Sequence, residues 1–185
     1  MPRLQLHDGL LVDLDGVVWL SREPIEGSID AIERIRAGGR DVVFVTNDPR
    51  STRAELAERL GEVGAPTDAE ELFTSASATA RAIATEREGA SVIAVGASAL
   101  ATELEAEGLE VVAVGEGARA DVVAIGGGSE FDYELLRITH EAVREGGELW
   151  ATNKDPVYPT ASGLVPGTGA FVAAVEYAAG LEARS

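Results

Sequence analysis

Gly9-Leu-Leu-Val-Asp-Leu-Asp-Gly-Val-Val-Trp19 is the stretch around which the chain is organised. An apolar run from Leu10 to Val12 leads into Asp13 and Asp15, and Gly16 then lets the backbone turn at no steric cost. This pattern predicts a buried strand that ends in an acidic pair. Residues i and i+2 of a strand share a side, so both carboxylates look out past its carboxyl end, where open α/β sheets place their ligands. Two such carboxylates repel, and a site that keeps both ionised needs a cation between them. Mg²⁺ is the natural candidate, because it takes hard oxygen ligands and leaves positions for water and phosphate.

Downstream, strand and helix patterns alternate. Ser28 is placed to cap a helix reaching about Ala37, with Ile29, Ile32 and Ile35 on one face, and Gly38-Gly39 ends it. Asp41-Val-Val-Phe-Val-Thr46 reads as a second buried strand, broken by Asn47-Asp48-Pro49 before a helix from about Ser51 to Leu60. A right-handed crossover makes the two strands parallel neighbours, which brings Thr46 and Asn47 beside Asp13 and Asp15. The pattern then repeats. Helices are expected near 76–87, 98–107 and 132–145, and strands at 91–96, 111–114, 121–125 and 148–152. The segment from Asn153 to Gly167, with prolines 156, 159 and 166, reads as a loop crossing back to a last helix at 169–179.

Composition narrows the classes. At 185 residues and 45% apolar content the chain can bury a real core. It lacks cysteine, which excludes disulfides and thiolate metal sites. A net charge of -17 argues against nucleic acid, whose phosphates need a basic face. No apolar run is long enough for a bilayer and no basic-then-apolar leader opens the sequence, so a cytoplasmic, unprocessed protein with no membrane partner is expected. Lys154 is the only lysine, and the excess of acid and arginine reads as a source adaptation.

Four segments in order carry a resemblance: D-L-D-G-V-V-W from Asp13, V-F-V-T-N-D from Val43, A-T-N-K-D-P-V-Y-P from Ala151, and G-L-V-P-G-T-G-A-F-V-A-A-V-E from Gly163. Together they resemble the haloacid dehalogenase-type phosphatases, in the branch of 4-nitrophenyl, phosphoglycolate and pyridoxal phosphatases. The likeness covers nearly the whole chain. It implies an α/β fold with a Rossmann-like parallel-sheet core, incomplete at the C-terminus, and an inserted α/β cap. Residues 1–77 and 166–185 would form the partial core and 78–165 the cap.

The resemblance implies Mg²⁺-dependent hydrolysis of a small phosphorylated metabolite through an aspartyl-phosphate. Asp13 would be the nucleophile and Asp15 the general acid and base, with the metal held by the Asp13 side chain and the Asp15 backbone carbonyl. Thr46 would bond a phosphate oxygen, and Asn47 and Asp48 would line the substrate side. The branch usually has Asn where this chain has Asp48, which adds a negative charge near an anionic substrate. Tyr158 stands where relatives place a substrate-contacting residue, although packing under the cap explains it equally well.

Other residues read more plainly. Lys154 is expected as a solvated surface lysine, Gly126-Gly-Gly-Ser129 as a turn that fits neither nucleotide fingerprint, His7 and His140 as surface residues, and Trp19 and Trp150 as core or hinge packing. In the family, a lysine and acidic metal ligands follow the last helix, whereas this sequence stops at Ser185. The expectation is an N-terminal part of a phosphatase whose first strand becomes an exposed edge, open to a second copy or a complementing C-terminal chain. Two classes stay open: a Mg²⁺-dependent phosphomonoesterase, and a non-catalytic phosphate-binding or assembly module.

Overall fold

The computed structural model describes residues 9–20, 23–128, 131–160 and 163–185. Contacts divide the chain into two units, Met1–Thr46 with Arg53–Phe73 and Asn47–Thr52 with Thr74–Ser185. The first unit begins with β1 (Gly9–Asp13), followed by the short antiparallel pair β2 (Trp19–Leu20) and β3 (Glu23–Pro24). Then come α1 (Ser28–Ala37), β4 (Asp41–Thr46), α2 (Arg53–Glu62), a 3-10 turn at Ala69–Glu71 and β5 (Leu72–Thr74). β1 and β4 pair in parallel with Asp13 opposite Val45, as a crossover through α1 requires. Leu14, Trp19, Ile32, Phe44, Leu60 and Leu72 form the core that holds this pair.

Two local expectations change here. β1 is not buried: it lies at the end of the order β1-β4-β5, and Leu11 is 75% exposed while Leu10 and Val12 are half-buried. A strand flanked on one side only keeps part of its apolar surface in water, whatever its composition. Nor does Ser28 cap α1. Gly27 occupies the cap position at φ 78°, and the Ser28 hydroxyl donates instead to the Val18 carbonyl at 2.9 Å. The helix start is thereby tied to the loop after β1.

The second unit contains α3 (Ser75–Glu86), β6 (Ser91–Val95), α4 (Ser98–Ala106), β7 (Glu110–Val112), β8 (Val122–Ile125), α5 (Tyr133–Arg144) and β9 (Glu148–Ala151). Thr74 and Ser77 form a reciprocal capping box at the start of α3, and the Asp132 side chain caps α5. Four parallel strands lie in the order β7-β6-β8-β9. Ala76, Ala80, Leu100 and Leu104 pack with Val92 and Val122 in one buried cluster, and Ile93, Ile125 and Val143 belong to another. This parallel sheet with helices confirms the α/β class read from the alternating pattern.

The expected loop from Asn153 to Gly167 instead contains β10 (Val157–Thr160) and β11 (Gly163–Pro166), an antiparallel hairpin with Tyr158 opposite Val165. Its prolines misled the reading, because proline is tolerated on a strand edge where no ladder donor is needed. The last helix, α6 (Thr168–Ala179), packs Phe171, Val172 and Val175 into the cluster of Ile93 and Ile125. Contacts thus group residues 47–52 and 74–185 with the second sheet. Among the described residues, no helix is long and apolar enough to cross a membrane.

The connections from β6 and β8 leave in opposite directions, so the point between them is a topological switch, where α/β sheets usually open a ligand crevice. Here the chain fills it. The Ala97 N–H donates to the Gly127 carbonyl at 2.5 Å, and Gly126 and Gly127 are buried. Pro49 and Arg50 lie close over Gly127, whose added Cβ would stand 2.9 Å from Pro49 Cγ. The triple glycine is thus a close-packing device, and the part of the expected turn at Ser129 lies outside the described residues.

Candidate active site

Asp13 and Asp15 are both exposed and Leu14 between them is fully buried, so the strand alternation continues through the acidic pair. Asp13 Oδ1 accepts from the Leu14 N–H at 2.9 Å. Gly16, at φ +83°, makes the turn that follows, and its N–H donates to the Trp19 carbonyl at 2.7 Å. That turn returns Trp19 to the acidic pair. Its indole Nε1 donates to Asp15 Oδ1 at 3.1 Å, and Thr46 Oγ1 donates to Asp15 Oδ2 at 3.1 Å. Both oxygens of Asp15 are therefore oriented, one by a buried ring and one by the end of β4.

Thr46 thus meets Asp15 as the parallel pairing predicts. Trp19 was expected only to pack. Its ring is buried as expected, but its polar edge is also part of the site; the signal was a tryptophan four residues after an acid, across a glycine turn.

In the second unit, Asn47 is held from two directions. Its Nδ2 donates to the Asp155 carboxylate, and its carbonyl accepts from Ser75 Oγ at 2.8 Å and from Asn153 Nδ2 at 2.9 Å. Asn153 Oδ1 in turn accepts from the Asp155 N–H at 3.1 Å, a local turn that presents both side chains to Asn47. The Gly169 N–H bonds the Asp155 carbonyl at 3.0 Å, and a Cβ on Gly169 would come within 2.3 Å of the Lys154 carbonyl. The T-N-K-D and P-G-T-G segments therefore interlock through backbone.

The extra charge of Asp48 is answered within its own loop. Arg50 donates to it three times: from its backbone N–H at 3.0 Å and Nε at 2.7 Å to Oδ1, and from Nη2 at 2.6 Å to Oδ2. The same guanidinium lies over the Tyr158 ring, 4.9 Å from its centroid. Tyr158 accordingly packs against a cation. Arg50 and Asp155 escaped the sequence reading, although a cation two residues after an acid in a turn is a readable sign of the first.

Lys154 is exposed, as expected, but it also has a partner. Its ammonium pairs with Glu176 Oε1 at 2.8 Å, and that bond, with a second from the Ala183 N–H, holds the Glu176 carboxyl below its usual range. A depressed pKa adds stability above the ordinary glutamate range, and this is lost as pH falls through the depressed value. Lys154→Met is expected to cost about 0.5–1 kcal/mol at neutral pH, because the pair is partly exposed. Urea midpoints of variant and parent should converge in acid, and a gap independent of pH would refute the pairing. Of the two histidines, His7 lies outside the described residues and His140 is half-buried on α5.

Asp13 and Asp15 present hard oxygen donors of the kind Mg²⁺ takes. Among the described residues, no group of three or more His, Cys, Asp or Glu side chains could hold a metal. The donor set fits a cation anchored by one or two carboxylate residues and completed by water and substrate oxygens, an arrangement Mg²⁺ commonly adopts.

Comparison with known proteins decides the family. The model of the haloacid dehalogenase-like hydrolases matches residues 10–110, more than half of the chain. The chain belongs to this family. 5′-nucleotidase YutF of Bacillus subtilis is 30% identical over 97% of this chain and 68% of its own length. D-glycerol 3-phosphate phosphatase of Mycobacterium tuberculosis is 38% identical over 97% of this chain and 50% of its own. The crystal structure of a Mycobacterium tuberculosis glycerol phosphate phosphatase in complex with magnesium superposes with a TM-score of 0.87 at 37% identity. That match covers 96% of this chain and 53% of the other. This haloacid dehalogenase-like chain thus spans between half and about two thirds of the relatives it matches.

Proposed function

We propose that this chain carries the nucleophile and the general acid of a Mg²⁺-dependent phosphatase acting on small phosphomonoesters. The observation that carries the reading is the exposed pair Asp13 and Asp15 at the end of β1, with Asp15 oriented by Thr46 and Trp19. The relatives' names, a 5′-nucleotidase and a glycerol 3-phosphate phosphatase, support the reaction class. A carboxylate oxygen of Asp13 attacks phosphorus in line, and the bond to the ester oxygen breaks as Asp15 gives that oxygen its proton. Water then attacks the aspartyl-phosphate, Asp15 takes the water's proton, and inorganic phosphate leaves with Asp13 regenerated. The Asp13 carboxylate and the Asp15 backbone carbonyl would hold Mg²⁺, which when bound screens the nucleophile from the phosphate.

In this reading Thr46 bonds a phosphate oxygen, and Asn47, Asp48 and Tyr158 lie on the substrate side. Residues 78–165 serve as the cap that selects substrate. The place of action is the cytoplasm, and the exposed edge of β1 is where a second copy or a complementing chain would pair. A non-catalytic phosphate-binding module is the second reading, favoured by the lack of a third acidic metal ligand among the described residues.

The test is release of inorganic phosphate from glycerol 3-phosphate and 4-nitrophenyl phosphate, with and without Mg²⁺. Asp15→Asn should lower turnover of the alkyl ester about a hundredfold and that of the aryl ester less, since nitrophenolate leaves without needing a proton. Equal losses on both esters would remove Asp15 from the acid's role. A folded sample with no metal-dependent release would favour the binding module.

A further inference from the structure

Asp15 meets two donors of different kinds. The Trp19 indole Nε1 donates to Oδ1 at 3.1 Å, and the Thr46 hydroxyl donates to Oδ2 at 3.1 Å. An indole N–H can only donate, whereas a hydroxyl both donates and accepts. The oxygen facing Trp19 is therefore held as an acceptor whether or not the carboxyl carries a proton. The oxygen facing Thr46 is the one that can bear that proton without opposing a fixed donor.

The Trp19 ring is not free to turn away. It is 2% exposed in the cluster of Leu14, Ile32 and Phe44, and the Arg59 guanidinium from α2 lies 5.7 Å from its centroid. Its backbone is tied into the same turn, the N–H donating to the Leu14 carbonyl at 3.1 Å and the carbonyl accepting from the Gly16 N–H at 2.7 Å. A buried indole N–H needs an acceptor, but any backbone carbonyl would serve. Here a ring rooted in the core reaches an exposed carboxylate instead, four residues back across the Gly16 turn.

We propose that Trp19 is a positioning residue for phosphoryl transfer: its fixed N–H pins one oxygen of Asp15 and so assigns the oxygen beside Thr46 to carry the proton to the leaving group. The inference rests on the phosphatase reading and deepens it by naming the atom that works as the acid. In that reading Thr46 bonds a phosphate oxygen, so Oδ2 is the oxygen on the phosphate's side. As the bond from phosphorus to the ester oxygen breaks, its electron pair stays on that oxygen, which takes the proton from Oδ2. The water that attacks the aspartyl-phosphate returns a proton to the same atom. Without the Trp19 bond the carboxyl can turn about its broad terminal torsion, and fewer molecules present the proton to the ester. Esters with poor leaving groups feel that loss most, because they need the proton.

The experiment uses the full chain with Mg²⁺ and compares the parent with Trp19→Phe, Asp15→Asn and the double variant on glycerol 3-phosphate and 4-nitrophenyl phosphate. Folding is checked by circular dichroism. Trp19→Phe keeps an aromatic ring in the core and removes the donor. It should lower kcat about five- to thirtyfold for the alkyl ester and less than about threefold for the aryl ester, with both KM values within about twofold. In the Asp15→Asn background the same substitution should add no further loss, because the group it positions no longer carries a proton. If Trp19→Phe does not fold, β-(3-benzothienyl)alanine at position 19, which keeps the fused ring and lacks only the N–H, takes its place in the comparison.

No loss, equal losses on the two esters, a loss confined to KM, or a full additional loss in the Asp15→Asn background would each show that Trp19 only packs. Any of these overturns the inference while the phosphatase reading stands. A folded parent with no metal-dependent phosphate release would sink that reading, and this inference with it.

Discussion

Asp13→Asn is expected to abolish metal-dependent hydrolysis of 4-nitrophenyl phosphate, a loss of about 10⁴-fold or more. An amide oxygen is a far weaker nucleophile than a carboxylate, and removing a covalent catalyst's nucleophile commonly costs rates of that order. Stability should barely change, because Asp13 is exposed and its carboxylate accepts a local bond from its neighbour's N–H. Turnover by Asp13→Asn within tenfold of the parent would sink the nucleophile assignment. Tighter binding of inorganic phosphate by the variant, in a parent that shows no turnover, would point to the binding module, since the substitution removes a repelling charge.

Gly96→Ala should unfold or severely weaken the second unit, by about 3 kcal/mol or more in urea denaturation. Gly96 lies at φ +119°, and a Cβ there would stand 2.0 Å from the Gly126 carbonyl oxygen and 2.6 Å from that of Gly127. Both obstacles are backbone, so no side chain can swing aside. Gly89→Ala is the control. It also has positive φ, at +68°, but nothing lies within 4 Å of its added Cβ, so a loss of about 1 kcal/mol is expected from conformation alone. Similar losses at both positions would show that the crossing of the two glycine segments contributes nothing.

Much of the architecture was readable before any coordinates. The strand and helix alternation, the parallel pairing of β1 with β4, and the approach of Thr46 to Asp15 all follow from short-range signals: apolar runs, glycine breaks and the hand of the crossover. The family resemblance of four segments agrees with the match over residues 10–110. Helix ends and strand ends fell within a few residues of their expected places because capping residues and glycines mark them locally, as Asp132 does for α5. Even where the reading failed at Ser28, the helix began there; only the hydroxyl's partner was wrong.

Partners distant in sequence were another matter. Asn47 and Asp155 are 108 positions apart, and nothing in either segment announces the other. Lys154 looked solvated because its partner Glu176 lies 22 residues on, across a hairpin that the prolines disguised. The apolar run of β1 alone read as buried, and only the resemblance pointed to an exposed edge, because an apolar strand has the same composition at the centre of a sheet as at its edge and neighbours alone decide which surface stays wet. Local sequence suffices to place Asp13, Asp15 and Thr46 together, because β-strand geometry and a single crossover assemble them. The neutralising of Asp48 and the binding of Asn47 depend on which side chains the tertiary fold brings within about 3 Å, a distance over which hydrogen bonds act and sequence periodicity carries no information.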